Sequence, residues 1–177
     1  MYNDVMKQES KQKVLNTIQQ FNLPRYDQIP DVGLYLEQVA SYMNQYFRVL
    51  PDMEITTSMI SNYVKKGLVD RSIKKKYYRD QIASLMFVAI AKTVLSIDRI
   101  NQLFVIQTKT YDKQIAYEYM RLELDNIIHY VFGMKNQLDS IGVTCTDEKD
   151  LLRYTLVTFA HKIYLELCLE AVSQEEK

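Results

Sequence analysis

A mainly α-helical fold with one small β element is what these 177 residues predict. Glycine and proline are scarce, with four and three residues, so little interrupts a helix. Apolar residues recur at helical spacing along most of the chain. One stretch, Ile55 to Arg79, departs from that pattern: a short helix runs into Lys65-Lys66-Gly67-Leu68, and a basic, Tyr-containing loop follows. The hydrophobic fraction of 47% excludes wholesale disorder, and the length suits one domain or a small domain with a helical extension.

Residues 3–21 read as a polar helix with a thin apolar stripe of Val14, Leu15, Ile18 and Phe21, stopped before Pro24. Pro24 to Pro30 is expected to be an extended connector. Asp31 is placed to cap a helix through about Phe47, with Leu34, Val39, Tyr42, Met43 and Tyr46 available for burial. Pro51 and Asp52 break the chain again. Thr56 or Thr57 then caps a short helix whose apolar set is Met59, Ile60, Tyr63 and Val64. Gly67 stands where helices end in a left-handed residue, and Leu68 closes the corner. Asp70 to Tyr78 suits two little strands around a turn.

Asp80 to about Leu95 is apolar around the helix and should be central. Its apolar run, Ile82 to Leu95, is 14 residues and contains Lys92, short of the roughly 20 that a membrane crossing takes. Ser96 caps a further helix carrying Ile97, Ile100, Leu103 and Phe104. Tyr111 to Phe132 is a long helix with a seam at Tyr117, Met120, Leu124, Ile127 and Val131; its Arg121, Glu123 and Asp125 read as a solvated face. Gly133 and Gly142 flank a loop, and Thr146 starts a last helix to about Val172. The expected division is 1–23, an N-terminal helix; 24–105, the segment holding the basic stretch; and 106–177, a C-terminal helical region.

The net charge of zero hides an asymmetry. Ile55 to Asp80 holds seven basic residues against two acids, +5, so the remainder carries −5. Phosphates respond to the local field, so a neutral total is compatible with nucleic acid. On the Thr56 to Lys66 helix, Thr57, Ser58, Ser61, Asn62 and Lys65 share the face away from Ile60 and Val64. Small and hydrogen-bonding residues there are what a helix entering the major groove needs, and Asn62 is suited to adenine. Lys65, Lys66, Arg71, Lys74, Lys75, Lys76 and Arg79 are the phosphate-binding candidates, with Tyr77 or Tyr78 packing under the loop or bonding a phosphate. Helix, glycine stop and basic strand-turn-strand together describe a winged helix-turn-helix with a small β wing. A solvated basic turn on an ordinary helical protein is the plainer reading of the same residues.

Ile55-Thr56-Thr57-Ser58-Met59-Ile60-Ser61-Asn62-Tyr63-Val64-Lys65-Lys66-Gly67-Leu68-Val69 resembles the second helix and turn of MerR-type regulators. Tyr77-Tyr78-Arg79-Asp80-Gln81-Ile82 looks like the segment leaving their wing, and Ser96-Ile97-Asp98-Arg99-Ile100 like the opening of their fourth helix. The family's usual arginine falls on Ser61 here, its serine cap on Tyr78, and the linker Arg48 to Glu54 exceeds a tight turn. Upstream, Pro24-Arg25-Tyr26-Asp27-Gln28-Ile29-Pro30-Asp31 followed by Leu34-Tyr35-Leu36-Glu37-Gln38-Val39 is similar to the opening of a bacterial family known as domain of unknown function 1836, whose members continue into the same Asn-Tyr-Val-Lys-Lys-Gly-Leu corner. The chain is identified as a member, with the match running from about Pro24 to the last helix. The MerR resemblance implies a DNA-binding transcription regulator acting as a homodimer, with the Tyr117 to Val131 seam available for pairing.

Other chemistry finds little in the sequence. There is no glycine-rich phosphate loop and no Gly-x-Ser-x-Gly, so no enzyme is expected. His129, His161, Cys145 and Cys168 are the only soft ligands; His161 and Cys168 share a helical face, but no close ligand pair exists, and no metal or cofactor is expected. Tyr111, Tyr117, Tyr119, Tyr130, Tyr154 and Tyr164 are expected chiefly as core and interface filler, leaving a small-molecule effector as an addition. A polar N-terminus and unpaired cysteines point to the cytoplasm, with no membrane partner. The competing reading is a protein-interaction module on the same fold with little or no DNA binding.

Overall fold

In the computed structural model, which describes residues 7–107, 111–142 and 146–174, seven α-helices and one two-stranded sheet follow in order. They are α1 (Gln8–Ile18), β1 (Leu34–Tyr35), α2 (Leu36–Phe47), α3 (Thr57–Lys65), β2 (Lys76–Tyr77), α4 (Arg79–Ala91), α5 (Ile97–Gln107), α6 (Lys113–Val131) and α7 (Asp147–Ser173). One buried apolar cluster runs from Val14 on α1 to Ala171 on α7. α4 is at its centre: Ile82, Leu85, Met86, Val88, Ala89, Ile90 and Ala91 are all buried, under cover from α3 at one end and from α6 and α7 along its length. Each large side chain buried this way contributes roughly 1.5–3 kcal/mol. α1 and α5 close the assembly by packing on α7.

Three helical starts share one device. Arg25, Tyr35 and Tyr78 lack a side-chain acceptor for the cap, and a glutamine three residues on reaches back instead. Gln28 Oε1 accepts from Arg25 N–H at 2.9 Å, Gln38 Oε1 from Tyr35 N–H at 2.9 Å, and Gln81 Oε1 from Tyr78 N–H at 2.8 Å. This satisfies an otherwise orphaned donor at each start. Thr56, Asp112 and Thr146 cap α3, α6 and α7 with their own side-chain oxygens.

Several expectations are corrected. The Pro24 to Pro30 connector contains a 3-10 turn, Tyr26–Gln28. Asp31 does not cap α2, because Leu34 and Tyr35 are first drawn into a strand; its Oδ1 accepts from Arg79 N–H at 3.2 Å, placing the carboxylate at the start of α4. The two strands expected within 70–78 reduce to a single bridge, Ile73 to Lys76, and the ladder forms between β2 and β1 as Leu34↔Tyr77 and Tyr35↔Lys76. The seam is intramolecular: Tyr117, Met120, Leu124 and Ile127 are buried, and Val131 is packed against the same core. Glu123 is fully buried and meets Arg153 Nε of α7 through Oε1. A carboxylate there requires a cation, which explains why Arg153 stands opposite.

The long linker between α2 and α3 is held by Asn44. Its Nδ2 donates to Ile55 O at 2.8 Å and its Oδ1 accepts from Ile55 N–H at 2.8 Å, while Leu50, Met53 and Ile55 enter the core. Replacing Asn44 by Ala leaves the buried amide and carbonyl of Ile55 unpaired, so N44A should lower stability by about 3 kcal/mol. Urea unfolding of N44A beside the wild type measures this, and an unchanged midpoint would refute it.

Candidate nucleic-acid interface

α3 presents two faces. Ile60 and Tyr63 are buried; Ser58, Ser61, Asn62 and Lys65 are exposed, and Thr57 is half-buried in the first turn. The helix starts where Thr56 Oγ1 accepts from Met59 N–H at 3.2 Å. It stops at Gly67, which has φ +76°: Leu68 N–H reaches Tyr63 O at 3.0 Å and Gly67 N–H reaches Val64 O at 3.0 Å. Leu68 is buried at that corner, as the paired 6→1 and 5→2 bonds of such a stop favour. Lys65 and Lys66 therefore leave the helix in solvent.

The segment after the corner is tied to α4. Gln81 Nε2 donates to the carbonyls of Asp70 and Arg71, at 3.2 and 2.8 Å, so one buried glutamine fixes both the helix start and the loop before it. The chain then reverses at Lys74-Lys75, with Ile73 N–H to Lys76 O at 2.9 Å and Lys76 N–H to Ile73 O at 3.0 Å. Lys74 and Lys75 have φ of 50° and 66°. Positive φ at both turn positions is normally the province of Asn-Gly, so two lysines there hold an unfavourable backbone while projecting both charges into water.

Behind the turn the sheet is close-packed. A Cβ on Gly33, at φ +77°, would lie 3.0 Å from Lys76 Cδ and 3.1 Å from Tyr78 Cζ. Tyr77 is buried beneath the loop. Lys76 Nζ stands 5.3 Å over the Tyr35 ring. Arg79 turns inward, its Nε donating to Ile29 O at 2.8 Å and its guanidinium lying 5.5 Å from the Tyr26 ring centre. The Tyr26 hydroxyl bonds Asp80, and burial followed by that carboxylate pushes its pKa up to about 12.

The basic candidates thus divide. Lys76 and Arg79 are half-buried against aromatic rings. Lys65, Lys66, Arg71, Lys74 and Lys75 are exposed and make no ion pair among the described residues; the nearby acid, Asp70, is taken by Lys113 at 2.9 Å. Such an array can neutralise a polyanion without first breaking internal pairs. Gly33, Tyr35, Asn44 and Gln81 support the site and escaped the sequence reading, although glutamine at the third position of a helix was a visible signal for Gln81. Of the soft ligands, Cys145 lies outside the described residues. His129 and His161 donate through Nδ1 to the carbonyls of Asp125 and Val157, at 2.7 and 2.8 Å.

The model of the family described as domain of unknown function (DUF1836) matches residues 24–138. The chain belongs to this family. The DUF1836 segment begins just before the Tyr26 turn and includes β1, the whole basic segment and all of α6, but stops before α7, short of the expected extent. Neither curated proteins nor solved structures give a match. No helix among the described residues is long and apolar enough to cross a membrane.

The turn geometry of this DUF1836 member separates stability from charge. Replacing Lys74-Lys75 by Asn-Gly puts residues that tolerate positive φ where two left-handed lysines each cost roughly 1 kcal/mol or more, so the double variant should melt at higher temperature. Thermal denaturation by circular dichroism checks it; a lower melting temperature would contradict the backbone assignment.

Proposed function

We propose that the protein is a DNA-binding transcription regulator of the cytoplasm, built on a MerR-like winged helix-turn-helix, dimeric and without a catalytic step. α2 and α3 would be the helix pair, α3 the reading helix, and the Lys74-Lys75 turn the wing. The observation that carries this reading is the set of five exposed cations that make no ion pair among the described residues, starting at the end of a helix whose outward face is Ser58, Ser61 and Asn62. Thr57, Ser58, Ser61 and Asn62 would contact base edges, and the five cations phosphates. Lys76 and Arg79 would act mainly by holding the turn and the start of α4.

With about five phosphates neutralised per protomer, log affinity for duplex DNA should fall with log salt at a slope near −4.5 per protomer. Replacing Lys74 and Lys75 by Ala should reduce that slope by about two per protomer and leave helicity unchanged. Retention of genomic fragments at low salt is the direct test. A purified protein that retains none would favour the second reading, a protein-interaction surface, for which Ile73, 59% exposed beside the turn, offers an apolar anchor.

For the dimer, the outer face of α7 replaces the buried α6 seam: Leu165 and Leu169 are each 59% exposed, one turn apart. Light scattering should show a dimer for the wild type and a monomer for L165E/L169E. A monomeric wild type at micromolar concentration removes the two-half-site arrangement.

A further inference from the structure

We propose that a cavity of about 160 Å³ between α4, α5, α6 and α7 is a binding site for one small, uncharged aromatic molecule. Its walls are apolar: Phe87 from α4, Phe104 from α5, Met120 from α6 and Leu152 from α7. Small side chains leave the room, with Ala83 and Ser84 of α4 and Ala116 of α6 on the lining. Protein interiors ordinarily leave few voids larger than a water molecule, and an apolar cavity of this size holds one benzene-sized ring. Aromatic side chains select the shape. Phe87 and Phe104 meet edge to face with ring centres 5.3 Å apart, and Tyr111, Tyr117 and Tyr119 also line the space. Ring edges and faces gathered in this way favour a flat aromatic ring over a saturated one.

The polar groups on the lining are already engaged, which makes the fitting occupant a neutral one. Lys113 Nζ pairs with Asp70 at 2.9 Å. Lys149 holds its ammonium 4.8 Å from the Tyr119 ring centre and 6.0 Å from that of Tyr111, and both Lys149 and Glu148 have partners within the fold. The Tyr117 hydroxyl donates to Pro24 O at 2.8 Å, and the Ser84 hydroxyl to Asp80 O at 2.9 Å. A charge buried here would leave water without gaining a counter-charge, which is strongly unfavourable. Water is a poor occupant too, because an ordered molecule needs about two to four polar partners. A neutral ring gives up little solvation and regains the contacts that the void forfeits.

The site is defined without nucleic acid, so its test stands apart from the DNA reading. Titration of the full-length protein by calorimetry should show toluene saturating at one molecule per chain, and the bound protein should melt at higher temperature. Benzoate and benzylammonium, rings of similar size carrying either charge, should each bind at least about ten-fold more weakly. Methylcyclohexane, which lacks the aromatic face and edge, should be weaker by about three-fold or more. Ala116→Leu fills the cavity from α6 and should abolish toluene binding in a protein that still melts cooperatively; Ser84→Leu fills it from α4 should the first variant not fold. No saturable binding by the folded wild type up to the solubility limit of toluene would overturn the proposal. So would equal affinity for either charged ring or for methylcyclohexane, or wild-type affinity in a folded cavity-filled variant.

Discussion

The burial of α4 is the constraint on which the rest of the structure depends. A helix apolar on almost every side can leave little of itself to water, so other elements must cover it along most of its length. α6 and α7 do so along its length and α3 at one end, with α1 and α5 packed outside on α7. Because α4 begins directly after the basic segment, the same burial decides where that segment sits. Its first turn is held from three directions, by Gln81 to the Asp70 and Arg71 carbonyls, by Asp31 to the Arg79 amide, and by Arg79 to the Ile29 carbonyl. A charged loop on so firmly held a base can point its lysines outward without collapsing onto the core.

The helix also joins the two regions of chemical interest. Its start supports the Lys74-Lys75 turn, and its Ala83, Ser84 and Phe87 form a wall of the cavity. Lys113, on the cavity lining, pairs with Asp70 of the basic segment at 2.9 Å. The pair is exposed, so it contributes little to stability, yet it gives the two regions a shared charge.

Much of the helical layout was legible in the residues, because each helix carries its own local signals. Thr56, Gly67 and Thr146 mark ends through hydrogen bonds that span only a few residues, and the outward face of α3 follows from the spacing of Ile60 and Tyr63. Asp31 shows the limit: it is a competent cap, but which helix receives it depends on β1 pairing with β2 across more than forty residues. Glu123 shows another. Its neighbours Arg121 and Asp125 read as solvent-facing, and only the arrival of Arg153 from α7 makes its burial tolerable.

The sequence by itself determined the helical character, the apolar centre at α4, the basic stretch from Lys65 to Arg79 and the resemblance that family membership bears out. These rest on short-range periodicity and composition. Tertiary structure decided which cations make no ion pair among the described residues, that the α6 seam is consumed internally, and that Ala83, Ser84 and Ala116 line a space between α4, α5, α6 and α7. Each is a property of groups brought together from distant parts of the chain. Pairing, burial and void volume arise only when separate surfaces meet.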